Sequence, residues 1–119
     1  MEGINRVVIT GELAGDSTFG HAAGGATVAT FTLAFPCDPG KQGNESRKKG
    51  FIDIIFFGVE ASRWAALLKK GRKVVIEGKL QQRNWRTLEG INRSKTEIIA
   101  QKIECYNSSE GKRELHSIK

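Results

Sequence analysis

The stretch that decides the fold is Phe51-Ile52-Asp53-Ile54-Ile55-Phe56-Phe57-Gly58-Val59, followed without a break by Glu60-Ala61-Ser62-Arg63-Trp64-Ala65-Ala66-Leu67-Leu68-Lys69-Lys70-Gly71. Its hydrophobic period changes in the middle. Side chains alternate across a strand, so Ile52, Ile54 and Phe56 share one face, uniformly apolar and therefore expected in the core. Phe51, Asp53, Ile55 and Phe57 share the other. From Glu60 to Lys70 the apolar residues Ala61, Trp64, Ala65 and Leu68 fall at i, i+3, i+4 and i+7, the buried stripe of a short amphipathic helix. Lys69 and Lys70 suit the negative C-terminal end of that helix, and Gly71 suits its C′ position.

Outward from this junction the chain reads as short strands. Residues 4–13 place Val7, Ile9 and Leu13 on one face and Arg6, Val8, Thr10 and Glu12 on the other. Residues 14–25 are rich in Gly and Ala and read as a loop. Over 26–35, Ala29, Phe31, Leu33 and Phe35 alternate with Val28, Thr30 and Thr32. Residues 36–50 are polar and carry the cluster Arg47, Lys48, Lys49, as in an exposed loop or hairpin tip. A long strand over 73–86 and another over 95–104 are joined by a turn at 87–92. Three strands, one helix and two strands make an all-β protein. The expected architecture is an OB-fold, a five-stranded Greek-key barrel with its helix between the third and fourth strands and a long hairpin between the fourth and fifth. Residues 1–106 are assigned to this domain and 107–119 to a short, polar, flexible C-terminal extension. There is no internal repeat.

Composition limits what such a domain can do. The chain has 119 residues, 39% of them apolar, enough for one core. Its net charge is +6, which favours polyanionic partners over neutral ones. No apolar run approaches the roughly 18 residues that a bilayer span needs, and residues 1–6 lack the order of a signal peptide, so a cytoplasmic protein with no membrane partner is expected. Cys37 and Cys105 form no CxxC pair, and His21 and His116 sit near neither. A zinc site needs three or four closely spaced ligands, so neither a metal nor another cofactor is expected. A disulfide between the two cysteines can be drawn, but a reduced pair is the expectation in that compartment.

The charge has a location. Residues 69–95 carry nine Lys or Arg against Glu77 and Glu89, a local net charge of +7, larger than that of the whole chain. The loop over 41–50 adds a net +3. In the strand over 73–86, Val74, Ile76, Gly78 and Leu80 are expected inward, with Lys73, Val75, Glu77, Lys79, Gln81, Arg83 and Trp85 outward. The outer side therefore presents Phe51, Phe57 and Trp85 among Lys and Arg. Exposed large aromatics call for something to cover them, either a loop or subunit contact, or a ligand. Bases stack on aromatic rings while cations track the phosphates, and duplexes hide their base faces, so the ligand this pattern fits is single-stranded nucleic acid. On this reading Lys48, Lys49, Lys73, Lys79, Arg83, Arg86 and Arg93 contact phosphate. Trp64, on the helix stripe, and Phe31 and Phe35, on an apolar strand face, are expected in the core.

At these residues the chain resembles the bacterial single-stranded DNA-binding protein family. The matching stretches are residues 4–13 (INRVVITGEL), 28–34 (VATFTLA), 56–58 (FFG), 68–71 (LKKG) and 76–85 (IEGKLQQRNW), in family order over about residues 4–104. The resemblance implies a homo-oligomer, usually a tetramer, that wraps single-stranded DNA in replication, recombination or repair, close to the nucleoid. It implies stacking aromatics at Phe51, Phe57 and Trp85, and basic contacts at Arg6, Lys70 and Arg83.

Two departures bear on function. Some members carry a further stacking aromatic near the place of Pro39. The family also usually continues into a Gly- and Pro-rich tail ending in acidic residues, whereas residues 107–119 here have a net charge of +1. The chain is then a tailless member or a truncated one, and recruitment of proteins through such a tail is not expected. The expected activity is non-enzymatic and tolerant of sequence. An RNA- or primosome-type OB module is the alternative. A nuclease is disfavoured, because only Asp53 and Glu77 offer carboxylates on the face and no nucleophile or metal-ligand set accompanies them.

Overall fold

A computed structural model describes residues 2–37, 48–107 and 112–117, with the side chains of 61, 107 and 112–117 excepted. Within these residues seven strands and one helix run in the order β1 (Val7–Leu13), β2 (Thr18–His21), β3 (Thr27–Pro36), β4 (Lys49–Phe57), α1 (Ala61–Leu67), β5 (Lys73–Arg86), β6 (Asn92–Asn107) and β7 (Lys112–Ser117). Neighbours in the sheet are β1-β5-β6-β4-β3, and β1 pairs back onto β3 through Glu12 opposite Ala34 and Leu13 opposite Leu33. That last pairing closes the sheet into the five-stranded barrel of an OB-fold. All its pairs are antiparallel except β4 with β6.

Closure needs backbones to approach closely, and two glycines permit it. A Cβ on Gly11 would lie 2.3 Å from the Ala34 carbonyl oxygen, and one on Gly78 would lie 2.1 Å from that of Ile99. Neither space admits a side chain. The β5–β6 register shifts at Glu77/Gly78, a bulge that bends the pair where the barrel ends and a free hairpin begins.

The alternation places the core as expected along β3 and β4. Ala29, Phe31, Leu33, Ile54 and Phe56 are buried, with Phe35 and Ile52 half-buried against them. Trp64 and Leu68 bring α1 over the barrel, and Trp64 meets Phe56 edge to face at 4.8 Å between ring centroids, a favoured quadrupolar arrangement. Cys105 is buried and Cys37 half-buried, and both are free thiols.

Four details differ from the sequence reading. Residues 18–21, within the expected loop, form β2, which pairs with β3 from Thr18 opposite Thr30 to His21 opposite Thr27. Thr18 and Gly20 alternate with Phe19 and His21 too briefly to announce a strand, and β3 supplies the template. Leu80, expected inward, is exposed: β1 pairs with β5 only as far as Gly78, and residues 79–86 beyond it all face solvent. The helix ends at Leu67, so Lys69 and Lys70 lie past its last turn. Arg72 serves its C-terminus instead, its Nε donating to the Leu67 carbonyl at 3.0 Å, while Gly71 sits at φ 86° in the following turn and donates to Leu13. Finally, Lys112–Ser117 in the C-terminal extension runs antiparallel to the end of β6 as β7. Among the described residues no helix is long and apolar enough to cross a membrane.

Candidate nucleic-acid interface

Register brings the outer residues of β3, β4, β6 and β5 into rows. Thr32, Asp53, Glu97 and Gln81 stand side by side in one row, and Thr30, Ile55, Ile99 and Lys79 in the next. Phe57 closes the face at one end, opposite Val28, and Phe51 lies beyond Asp53 at the other, opposite Ala34. One step out along the hairpin Arg83 faces Lys95, and one further Trp85 faces Arg93. The three aromatics thus flank a polar centre, Phe51 and Trp85 toward one side and Phe57 toward the other. They are 63% (Phe51), 40% (Phe57) and 45% (Trp85) exposed. No loop of the described residues covers them.

The polar centre is a charge-balanced quartet. The carboxylates of Asp53 and Glu97 are register neighbours, and so are the cations Arg83 and Lys95. Like charges placed opposite each other repel, and each here is answered by an ion pair. Lys95 pairs with Asp53, which also accepts from the Thr32 hydroxyl at 2.7 Å. Glu97 accepts from Arg83 Nε at 2.5 Å and from Gln81 Nε2 at 3.2 Å. Burial pushes the Asp53 carboxyl upward, but the hydrogen bonds from Lys95 and Thr32 and the charges of Lys95 and Arg83 outweigh it, so its pKa falls below the ordinary value. The hydrogen bond to Glu97, and then its charge, raise Arg83.

The sequence-predicted cations divide into three groups and a lone Lys70. Arg6 and Arg83 are engaged within the protein, Arg6 with Glu77 and Arg83 with Glu97. Lys79, Arg86 and Arg93 lie on the aromatic hairpin, and among the described residues none of them pairs with a carboxylate. Lys48, Lys49 and Lys73 come together elsewhere, in a groove of about 570 Å³ with Glu12, Phe35, Pro36 and Tyr106. Lys49 lies 3.7 Å from Glu12 there, and none of the three aromatics lines this groove. Lys70 is exposed in the turn after α1, where its backbone N–H donates to Asp16. Pro39 lies outside the described residues.

Sequence reasoning missed Glu97 and Lys95. The only signal was the broken alternation at Gln101-Lys102, two polar residues between Ala100 and Ile103, which marks the bulge that sets Glu97 on this face. It also missed the hairpin's anchor. The Asn5 side-chain amide donates to the Leu80 carbonyl and accepts from the Leu80 N–H, both at 2.9 Å, continuing the β1–β5 ladder with a side chain.

A barrel closed by β1 on β3, with an aromatic and cationic outer face and a protruding β5–β6 hairpin, coincides with a family match. Residues 4–106 match the model of the single-strand binding protein family. The chain belongs to that family. It is 35% identical over 109 residues to a single-stranded DNA-binding protein of Aquifex aeolicus, covering 91% of this chain and 74% of that protein. It is 34% identical over 108 residues to single-stranded DNA-binding protein A of Bacillus subtilis, covering 91% and 62%. The chain therefore spans less than two thirds of some relatives in the family. Among solved structures, a Plasmodium falciparum SSB in complex with ssDNA superposes with a TM-score of 0.73 at 25% identity, covering 100% of this chain and 98% of that one. A Thermus aquaticus single-stranded DNA-binding protein variant shares the fold, with a TM-score of 0.73 at 24% identity over 93% of this chain and 54% of its own.

Proposed function

We propose that this member of the single-strand binding protein family binds single-stranded DNA without strong sequence preference and catalyses no reaction. In this reading Phe51, Phe57 and Trp85 each offer a ring face to a base, a contact worth about 1–3 kcal/mol per base. Lys79, Arg86 and Arg93 neutralise phosphates alongside them. Lys48, Lys49, Lys73 and Lys70 extend the cationic track around the barrel, while Arg6 and Arg83 act mainly inside the protein. The observation that carries the proposal is the placement of three exposed aromatics around one face whose hairpin holds cations that pair with no carboxylate among the described residues.

The strand is bound by a homo-oligomer, a tetramer as the family resemblance implies, acting in replication, recombination or repair at the nucleoid in the cytoplasm. Titration of the protein's fluorescence with oligo-dT of increasing length tests the proposal. Trp85 is exposed and Trp64 buried, so stacking should quench the exposed fraction, and the saturation point gives the site size. Preference for duplex over oligo-dT, or for oligo-U over oligo-dT, would overturn it. Sedimentation of the unbound chain reads the oligomer directly.

A further inference from the structure

Glu97 is a charged residue with 2% of its surface exposed, on a face otherwise open to solvent. A buried carboxylate persists only when paired and hydrogen-bonded. Its partners are Gln81 and Arg83, both on the adjacent strand, and Arg83 reaches it through Nε at 2.5 Å and Nη2 at 3.5 Å. The same guanidinium lies 5.5 Å from the centroid of the Trp85 ring, within cation–π range. Arg83 therefore connects an immobile buried anion to an exposed indole. Lys95, directly opposite Arg83, is held by Asp53 and does not compete for Glu97.

We propose that Glu97 is a positioning residue for strand binding. It holds Arg83 across one face of Trp85, so that the indole is pre-set with its other face open to a base. The inference rests on the single-stranded DNA reading above. It has an electrostatic consequence, because the Arg83–Glu97 unit is net neutral and Arg83 releases no counterion when the strand binds. Arg83 thus leaves the list of phosphate contacts and becomes part of the stacking platform.

The test uses the whole chain and three proteins: wild type, Glu97→Met, and Glu97→Met with Arg83→Gln. Methionine fills a similar volume without an acceptor. Affinity for dye-labelled oligo-dT is measured against salt, and acrylamide quenching of Trp85 is measured without DNA in a Trp64→Phe background. Glu97→Met should free Arg83 for phosphate and steepen the slope of log affinity against log salt by about 0.7, the increment for one cation on a single strand. The double variant should return to the wild-type slope. Trp85 quenching should rise in both variants.

A Glu97→Met protein unchanged in slope and in quenching would overturn the proposal. So would a double variant about 0.7 shallower than wild type, since Arg83 would then already contact phosphate in the native protein. Should Glu97→Met fail to fold, Glu97→Gln, which keeps an acceptor but loses the charge, carries the same two readouts. If no version binds oligo-dT, the functional reading fails by itself, and the DNA-free quenching still decides whether Glu97 and Arg83 position Trp85.

Discussion

The two tryptophans should respond to substitution in opposite ways. Trp64 is 5% exposed, lies on α1 and meets Phe56 edge to face at 4.8 Å. Trp64→Ala removes a large buried ring and leaves a cavity at the barrel's cover, a change that typically costs about 3–5 kcal/mol. In a chain of this length that lowers Tm by on the order of 10–20 °C. Trp85 has no core contact to lose, since the hairpin beyond Gly78 stands clear of the barrel. Trp85→Ala should leave Tm within a few degrees of wild type. It should weaken oligo-dT binding by about 1–3 kcal/mol, roughly 5- to 150-fold. That range is the value of one stacked base, and one is what Trp85 can take, since Arg83 lies over its other face at 5.5 Å. Thermal melting by circular dichroism and fluorescence anisotropy with labelled oligo-dT, run on both variants at one salt concentration, make the comparison. A Trp85→Ala protein that melts normally and binds with wild-type affinity would refute the stacking argument at its best-placed residue. A Trp64→Ala protein as stable as wild type would refute the reading of α1 as part of the core.

Other perturbations probe other parts of the structure. Gly78→Ala would put a methyl group 2.1 Å from the Ile99 carbonyl oxygen, so the bulge must deform, and a loss of about 1–3 kcal/mol is expected by the cost of overpacking, read as an earlier midpoint in urea. The pKa of Asp53 is depressed in the folded protein, so its contribution to stability is complete above the ordinary carboxylate range and is lost as pH falls through the depressed value. Wild type should therefore lose stability below about pH 4, where an ordinary Asp begins to protonate. Asp53→Asn should be less stable at neutral pH and fall less steeply in that acid range, and parallel acid limbs would contradict the role of the Lys95–Asp53 pair. Phe57→Ala, at 40% exposure, should cost affinity in the same range as Trp85→Ala, and an undiminished affinity would confine the strand to the hairpin side of the face.

How much of this could be read from the sequence depends on whether the cause was local. The barrel was legible because period two and period 3.6 meet at Gly58–Glu60, and burial follows those periods at Ile54, Phe56, Trp64 and Leu68. The exposed ring set was legible for the same reason, since Asp53 on the face of Phe51 and Phe57 marks that face as outward. Features fixed by pairing across the sheet were not legible. Strand β2 is templated by β3, the inward assignment of Leu80 fails because β1 stops pairing with β5 at Gly78, and Arg72 reaches the end of α1 only because the chain turns back at Gly71. Glu97 belongs to this class. Nothing in its neighbours along the chain, Thr96 and Ile98, indicates that Arg83 and Gln81 will converge on it from the next strand.

The same distinction changes the meaning of the charge. Counted along the chain, residues 69–95 form a block of net +7 that reads as one phosphate-binding patch. Folding removes Arg83 and Lys95 from it through Glu97 and Asp53, and on the neighbouring surface Arg6 and Lys102 share Glu77. The residues left facing solvent on the aromatic hairpin are Lys79, Arg86 and Arg93. If these are the cations a strand displaces counterions to reach, the salt dependence should have a slope near −2 per bound chain, at about −0.7 for each phosphate neutralised on a single strand. Engagement of all nine predicted cations would give about −6 on the same scale. The two values are far enough apart for a titration at four or five salt concentrations to separate them. A slope near −5 would mean that the strand also runs past Lys70 and the Lys48, Lys49 and Lys73 groove, and one of about −6 that it breaks the internal ion pairs as it binds. A slope near −2 would mean that the paired acids on this face confine the electrostatic contact to the hairpin, leaving most of the affinity to the rings.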